Sequence, residues 1–117
     1  MRRQYIPFSK PDLGQQEINE VVDTLKSGWL TTGPKTRRFE EEFTRFLGAP
    51  SALVLSSCTA GLHASLVILG IGEGDEVITT TLTFASSVNV IEHTGARPVL
   101  VDVEPDTLNI NPGLIEA

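Results

Sequence analysis

Six small or hydroxyl-bearing residues, Ser56-Ser57-Cys58-Thr59-Ala60-Gly61, follow a short apolar run, Ala52-Leu53-Val54-Leu55. A helical pattern comes directly after them. At such a strand-to-helix junction the first N–H groups of the helix lack an internal partner, and the dipole presents its positive end. Small side chains let an anion reach those groups, and Ser and Thr hydroxyls add donors. The turn therefore reads as a phosphate cradle built from amides and hydroxyls. It reads equally as a Ser or Thr helix cap with no ligand. Phe84, in Thr83-Phe84-Ala85-Ser86, follows a second β-like run. Open parallel sheets take ligands at the carboxyl ends of their strands, so an aromatic face and the cradle could share one pocket. Ordinary core packing is the other reading of Phe84. Trp29 is the only tryptophan and sits between Gly28 and Gly33, outside any helical stripe. That placement suits a ligand or partner contact, or an anchor for the loop.

Other reactive residues give weaker patterns. Cys58 stands near a helix start, which lowers a thiol pKa, and His63 is five residues on. A Cys–His nucleophile pair is one reading; a small buried thiol and a packed histidine is the preferred one. His63 and His93 lack carboxylates at ligand spacing, so no metal site is expected. Gly70-Ile71-Gly72-Glu73-Gly74-Asp75 resembles a dinucleotide fingerprint but lies after a helix and before a strand, the reverse of the required order. It reads as a turn, and the acidic residues Glu73, Asp75 and Glu76 read as solvated.

The elements that must position these residues follow from periodicity. Ile18, Val21, Val22 and Leu25 form one helical stripe, placing a helix at about 13–27 with its start near Pro11-Asp12 and its end at Gly28. Phe39, Phe43, Phe46 and Leu47 place a second at about 35–47, ended by Gly48. Its pairs Arg37/Glu41, Arg38/Glu42 and Glu41/Arg45 read as a solvated face. Residues 52–55 read as a strand buried on both faces. A largely buried helix carries Leu62, Leu66, Ile68 and Leu69 and ends at Gly70. A strand is expected at 76–80. Ser86 or Ser87 then caps a helix that ends near Gly95, and another strand covers 98–103. Residues 107–110 read as extended. Asn111-Pro112 reads as the cap and first residue of a further helix. Residues 52–117 thus run β-α-β-α-β, which implies an α/β fold with a mostly parallel sheet and helices on both faces. Two segments are expected: 1–50, helical with a loop, and 51–117, the first part of a larger domain. Three parallel strands are few for a finished domain of this class, so the sequence reads as the front of something longer.

Composition narrows the function classes. The 117 residues hold 9 Lys+Arg against 15 Asp+Glu, a net charge of −6. The basic residues are scattered apart from Arg2-Arg3 and 35–38, so nucleic-acid binding is not expected. The apolar runs are too short for a membrane helix, and no secretory signal opens the chain. The single cysteine, Cys58, rules out an internal disulfide; a cytoplasmic location fits. By surface scaling a compact chain of this size buries about two-thirds of its surface, enough for one core.

Together the residues resemble a known family, the sugar aminotransferases of the DegT/DnrJ/EryC1/StrS type, within the aspartate-aminotransferase-like fold (fold type I) of pyridoxal-phosphate enzymes. The matching segments are Ile6-Pro7-Phe8, Ser27-Gly28-Trp29-Leu30-Thr31-Thr32-Gly33-Pro34, Ser57-Cys58-Thr59-Ala60, Gly72-Glu73-Gly74-Asp75-Glu76-Val77-Ile78, Thr83-Phe84, Gly95-Ala96-Arg97-Pro98-Val99 and Asp102-Val103. Each is weak alone; their shared order across nearly the whole chain is specific. The resemblance implies pyridoxal phosphate as cofactor, with Ser57, Cys58, Thr59, Ala60 and Ser86 around it and Phe84 stacked on its ring. It implies that the loop of Trp29, Thr31 and Thr32 meets substrate, a nucleotide-linked keto sugar, with glutamate or glutamine as amino donor. A homodimer and a role in polysaccharide or amino-sugar biosynthesis follow in the same way. Cys58 stands where many members have glycine, and Gly61 where alanine is common; both remain small. The family's Schiff-base lysine has no counterpart here, because Lys10, Lys26 and Lys35 all precede the sheet. The resemblance therefore implies no catalytic lysine within these residues and an inactive chain in isolation. Two alternatives stay open: a truncated, non-catalytic module that binds phosphate or a partner, and a sugar dehydratase of the same fold, in which histidine replaces the lysine.

Overall fold

The computed structural model describes Pro7 and residues 9–115. Arg2, Arg3, Ile6 and Phe8, which the sequence singled out, lie outside the described residues. The chain divides into two compact units, one through Val54 and one from Leu55.

The first unit holds α1 (Gln15–Ser27) and α2 (Pro34–Leu47). α1 starts two residues later than the pattern implied. Glu17, three residues into the turn, accepts from the Gly14 N–H at 2.7 Å, so Gly14 and not Asp12 is the cap. Both helices stop at a glycine with positive φ, Gly28 at 72° and Gly48 at 64°, a conformation that costs a side-chain-bearing residue about 1 kcal/mol or more. Pro34 opens α2, where its missing N–H is no loss. The two helices are tied by charge. Lys35 Nζ lies 2.6 Å from Glu20 Oε2 and 2.8 Å from Asp23 Oδ2, and Arg38 reaches Glu20 at 3.6 Å. Of the expected i, i+4 pairs on α2, Arg38–Glu42 forms at 3.6 Å. The apolar stripes of both helices face outward: Ile18, Val21, Val22 and Leu25 on α1 are exposed, as are Phe39, Phe43, Phe46 and Leu47 on α2. Phe39 and Phe43 pack on each other, with ring centroids 5.7 Å apart.

The strand expected at 52–55 does not form. A strand exists through the ladder it makes with a neighbour, and no neighbour pairs with this run among the described residues. The Val54 N–H instead donates to Glu40 Oε1 at 2.9 Å.

The second unit runs α3 (Cys58–Ile68), β1 (Glu76–Thr80), α4 (Ser86–His93), β2 (Arg97–Val101) and a short 3-10 turn at Pro112–Leu114. β1 and β2 pair in parallel, Glu76 opposite Arg97 and Thr80 opposite Val101. The Glu76–Arg97 pair also forms an ion pair. α4 makes the crossover, as parallel pairing requires. Among the described residues the sheet has two strands rather than the three expected. Beyond it Val103 pairs antiparallel with Ile110, closing the turn in which Leu108 takes a φ of 59°.

The core of this unit is small. Val90 and Ile91 on α4, Ala96 before β2 and Val101 at its end are buried. Burying each of the larger three contributes about 1.5–3 kcal/mol relative to exposure. α3 packs on α4, and the His63 and His93 rings meet edge-on with centroids 6.0 Å apart. α3 is less buried than its composition implied, because Val67, Ile68 and Leu69 have no cover. Neither Ser86 nor Ser87 caps α4. Ala85 holds the cap position without a side-chain bond, and Ser87 Oγ instead lies 2.9 Å from Thr83 Oγ1. The further helix expected from Asn111 is a single 3-10 turn, though Asn111 does cap it by accepting from Gly113 N at 2.9 Å. Among the described residues no helix is long and apolar enough to cross a membrane.

Candidate functional site

The turn before α3 is built by Ser57. Its backbone is extended, its Oγ accepts from Ala60 N at 3.1 Å, and its carbonyl accepts from Gly61 N at 3.2 Å. Ser57 thus performs one of its two expected roles directly, as the helix cap. The cap occupies the Ala60 N–H. The N–H groups of Cys58 and Thr59, at the first two helical positions, have no partner among the described residues. Ser57, Cys58 and Thr59 are exposed and Ala60 is half-buried. Two unspent amides and the Thr59 hydroxyl therefore face solvent at the positive end of the helix dipole, the chemistry that receives a phosphate dianion.

Phe84 lies in the loop after β1 and is 81% exposed. Such exposure leaves the aromatic ring uncovered among the described residues. The loop that carries it is tied at both ends. Thr81 N donates to Val101 O at 3.1 Å, and Thr81 Oγ1 donates to Asp102 Oδ1 at 3.0 Å. At the other end stands the Thr83–Ser87 hydroxyl pair. Ser86 is the first residue of α4 and half-buried. The anion-accepting turn and the bare ring belong to the same unit. An anionic tail and a flat heteroaromatic ring are the ligand features these two groups can each meet.

In the first unit, Trp29, Leu30 and Thr31 line a recess of about 380 Å³ with Asp23, Thr24 and Lys35. Thr32 does not line it; its carbonyl accepts from Trp29 Nε1 at 2.8 Å. Lys35 is held by hydrogen bonds from its ammonium to Asp23 and Glu20, which raise its pKa above the usual lysine range. The same bonds hold the Glu20 and Asp23 carboxyls below theirs. Sequence reasoning missed this cluster, because Glu20 and Asp23 are 15 and 12 residues from Lys35. It also missed Asp102 as a partner of Thr81. The Thr83–Ser87 pair had a signal, hydroxyls four residues apart at a helix start. Cys58 and His63 are not hydrogen-bonded to each other, and among the described residues no three His, Cys, Asp or Glu side chains converge as metal ligands.

A parallel β-α-β unit with an open amide turn and a bare aromatic ring after β1 defines an α/β protein, and it matches solved aminotransferases of fold type I. The chain belongs to the DegT/DnrJ/EryC1/StrS aminotransferase family, whose model matches residues 11–117. It is 53% identical over 116 residues to the spore coat polysaccharide biosynthesis protein SpsC of Bacillus subtilis (strain 168), covering 99% of this chain and 30% of that protein. Among solved structures, Spr1654 from Streptococcus pneumoniae in its PLP-form matches with a TM-score of 0.86 at 48% identity, over 95% of this chain and 28% of that one. The aminotransferase TlmJ from Streptoalloteichus hindustanus matches with a TM-score of 0.85 at 40% identity, over 96% of this chain and 31% of that one. The chain spans about 30% of the length of the curated relatives it matches.

Proposed function

We propose that these residues form the phosphate-binding and ring-stacking part of a pyridoxal-phosphate-dependent aminotransferase that acts on a nucleotide-linked keto sugar. The observation that carries the reading is the pair of unspent amides at Cys58 and Thr59 in the same unit as the exposed Phe84 ring. Support for the cofactor comes from the PLP-form of a similar structure. Support for a sugar substrate and a polysaccharide pathway comes from the name of SpsC and from the sugar-aminotransferase name that Spr1654 carries.

Pyridoxal phosphate supplies an electron sink for moving an amino group between donor and acceptor. The Cys58 and Thr59 N–H groups and the Thr59 hydroxyl bind its phosphate, and Ser57 keeps the turn in the shape that presents them. Ala60 is small enough to let the phosphate approach. Phe84 covers one face of the ring and keeps water from it, and Ser86 offers a hydroxyl at the same end of the sheet. Trp29, Thr31 and Thr32 contact the sugar. We assign 1–50 to the substrate-contacting helical segment and 51–117 to the start of the cofactor domain. Glutamate or glutamine is the amino donor, the assembly is a homodimer, and the location is cytoplasmic.

None of Lys10, Lys26 and Lys35 falls where the family carries its cofactor-bearing lysine, and Lys35 is committed to Glu20 and Asp23. The 117-residue chain by itself is therefore expected to give no transamination. The test uses the longest native product containing this chain, loaded with pyridoxal phosphate and reduced with borohydride. The reading expects one labelled lysine outside residues 1–117. No label, or turnover of a keto sugar by the 117-residue chain, would contradict it.

A further inference from the structure

Gly33 stands at an unusual place for a glycine. Its φ of −164° is extended backbone that any residue adopts, so the chain does not need glycine there for conformation. As the residue preceding α2 it makes no side-chain cap, although Ser, Thr, Asp or Asn would supply one there. What the position lacks is room. A Cβ on Gly33 would lie 2.0 Å from Trp29 Nε1, 2.1 Å from Cδ1 and 2.8 Å from Cε2. These atoms belong to a rigid indole that cannot yield locally, so the whole ring would have to leave.

The ring is otherwise fixed at one point, and the Trp29 backbone at another. Trp29 Nε1 donates to Thr32 O at 2.8 Å, and Trp29 N donates to Ser27 Oγ at 3.1 Å. The ring bond stays within the loop between α1 and α2 and the backbone bond reaches the last residue of α1, so the indole lies across its own loop on the bare Gly33 backbone. One edge of the ring thereby satisfies the loop, and Trp29 still lines the recess with Leu30 and Thr31. Trp29 remains 56% exposed, so the seat orients the ring without hiding it.

We infer that Gly33 is a positioning residue: it seats the Trp29 indole and so sets the aromatic wall of the recess that meets the sugar. The functional half of this statement rests on the substrate role proposed above for Trp29; the seat itself does not. Any side chain at position 33 displaces the ring, breaks the Nε1–Thr32 bond and removes the wall.

The test uses the 117-residue chain, in which the only tryptophan gives a single indole N–H signal in a ¹H–¹⁵N spectrum. In Gly33→Ala that signal is expected to move upfield and exchange faster with water, as the Thr32 bond is lost. A cycle with Trp29→Ala keeps the result interpretable if Gly33→Ala folds poorly. Gly33→Ala should lower the melting midpoint clearly when Trp29 is present. It should lower it much less once the indole is gone, because only the N-cap preference of Gly over Ala then remains. An unmoved indole signal, or an equal drop in both backgrounds, would overturn the seat. Titration with uridine diphosphate glucose, a stable nucleotide sugar, keeps the two halves apart. Saturable perturbation of the indole signal is expected, and it should weaken in Gly33→Ala. If the seat holds but the sugar leaves the indole unperturbed, the substrate role of Trp29 fails and the positioning of its ring stands.

Discussion

Replacing Ser57 separates what the turn does for the fold from what it does for an anion. In Ser57→Ala the Ala60 N–H loses the hydroxyl that accepts from it at 3.1 Å. Losing a serine helix cap costs about 1 kcal/mol. Unfolding entropy scales with length, so for a unit spanning 55–117 this lowers the melting midpoint by about 8 °C. Ser57→Asp has the opposite balance. A carboxylate still accepts from Ala60 N, and its charge favours the helix N-terminus by about 0.3–1 kcal/mol, so the midpoint holds or rises. The same carboxylate stands beside the free Cys58 and Thr59 amides and repels a phosphate there. At an effective dielectric near 20 and a separation of roughly 5 Å the repulsion is about 3 kcal/mol for each phosphate charge, which lowers affinity by at least on the order of a hundredfold. The assay is a circular-dichroism melt together with a pyridoxal phosphate titration of each variant. Ser57→Asp melting like the parent and binding as tightly would refute the placement of the phosphate at this turn. Ser57→Ala melting like the parent would refute the structural role of the cap.

Three further outcomes follow from particular contacts. Lys35→Ala should let the Glu20 and Asp23 carboxyls titrate back up toward their ordinary range, followed by carboxyl NMR. Because those pKa values are lowered in the fold, the stability they contribute is present above the ordinary carboxylate range. It is lost as pH falls through the lowered values. The raised Lys35 value places a matching loss at high pH, as pH rises through it. Asp102→Ala should loosen the Thr81 end of the Phe84 loop and weaken pyridoxal phosphate binding, whereas Asp102→Asn keeps an oxygen for Thr81 and should retain most of it. Among the described residues Thr80 Oγ1 is buried without a hydrogen-bond partner, so Thr80→Val should stabilise the sheet by about 1 kcal/mol in a denaturant titration.

The legible parts were those decided locally. The β-branched run of β1 ends a Gly-rich turn, and 76–80 was readable to the residue. Gly48 ends α2 by backbone chemistry alone. Ser57 was readable as a cap because small hydroxyl residues crowd a helix start. What sequence could not supply was the partner. Residues 52–55 have a strand's composition, yet a ladder needs a second edge, and the Val54 N–H found a glutamate instead. The start of α1 turned on which acceptor reached which amide, and Glu17 decided for Gly14. In the site, the Phe84 loop was visible, but the Asp102 that holds it is 21 residues from Thr81. The Gly33–Trp29 contact was masked because a glycine before a proline reads as a chain breaker, and only the position of the indole reveals its purpose. Leu108 at positive φ has no sequence signal, since leucine avoids that conformation.

The central claim is that Cys58 and Thr59 amides take the cofactor's phosphate while Phe84 takes its ring. A ¹⁵N- and ¹³C-resolved titration of the chain with pyridoxal 5′-phosphate tests it most directly. The account expects saturable downfield shifts of the Cys58 and Thr59 amides and upfield shifts of the Phe84 ring protons, with pyridoxal lacking the phosphate losing the amide effect. Saturable shifts that spare Cys58 and Thr59, or an equal amide response to pyridoxal, would contradict it.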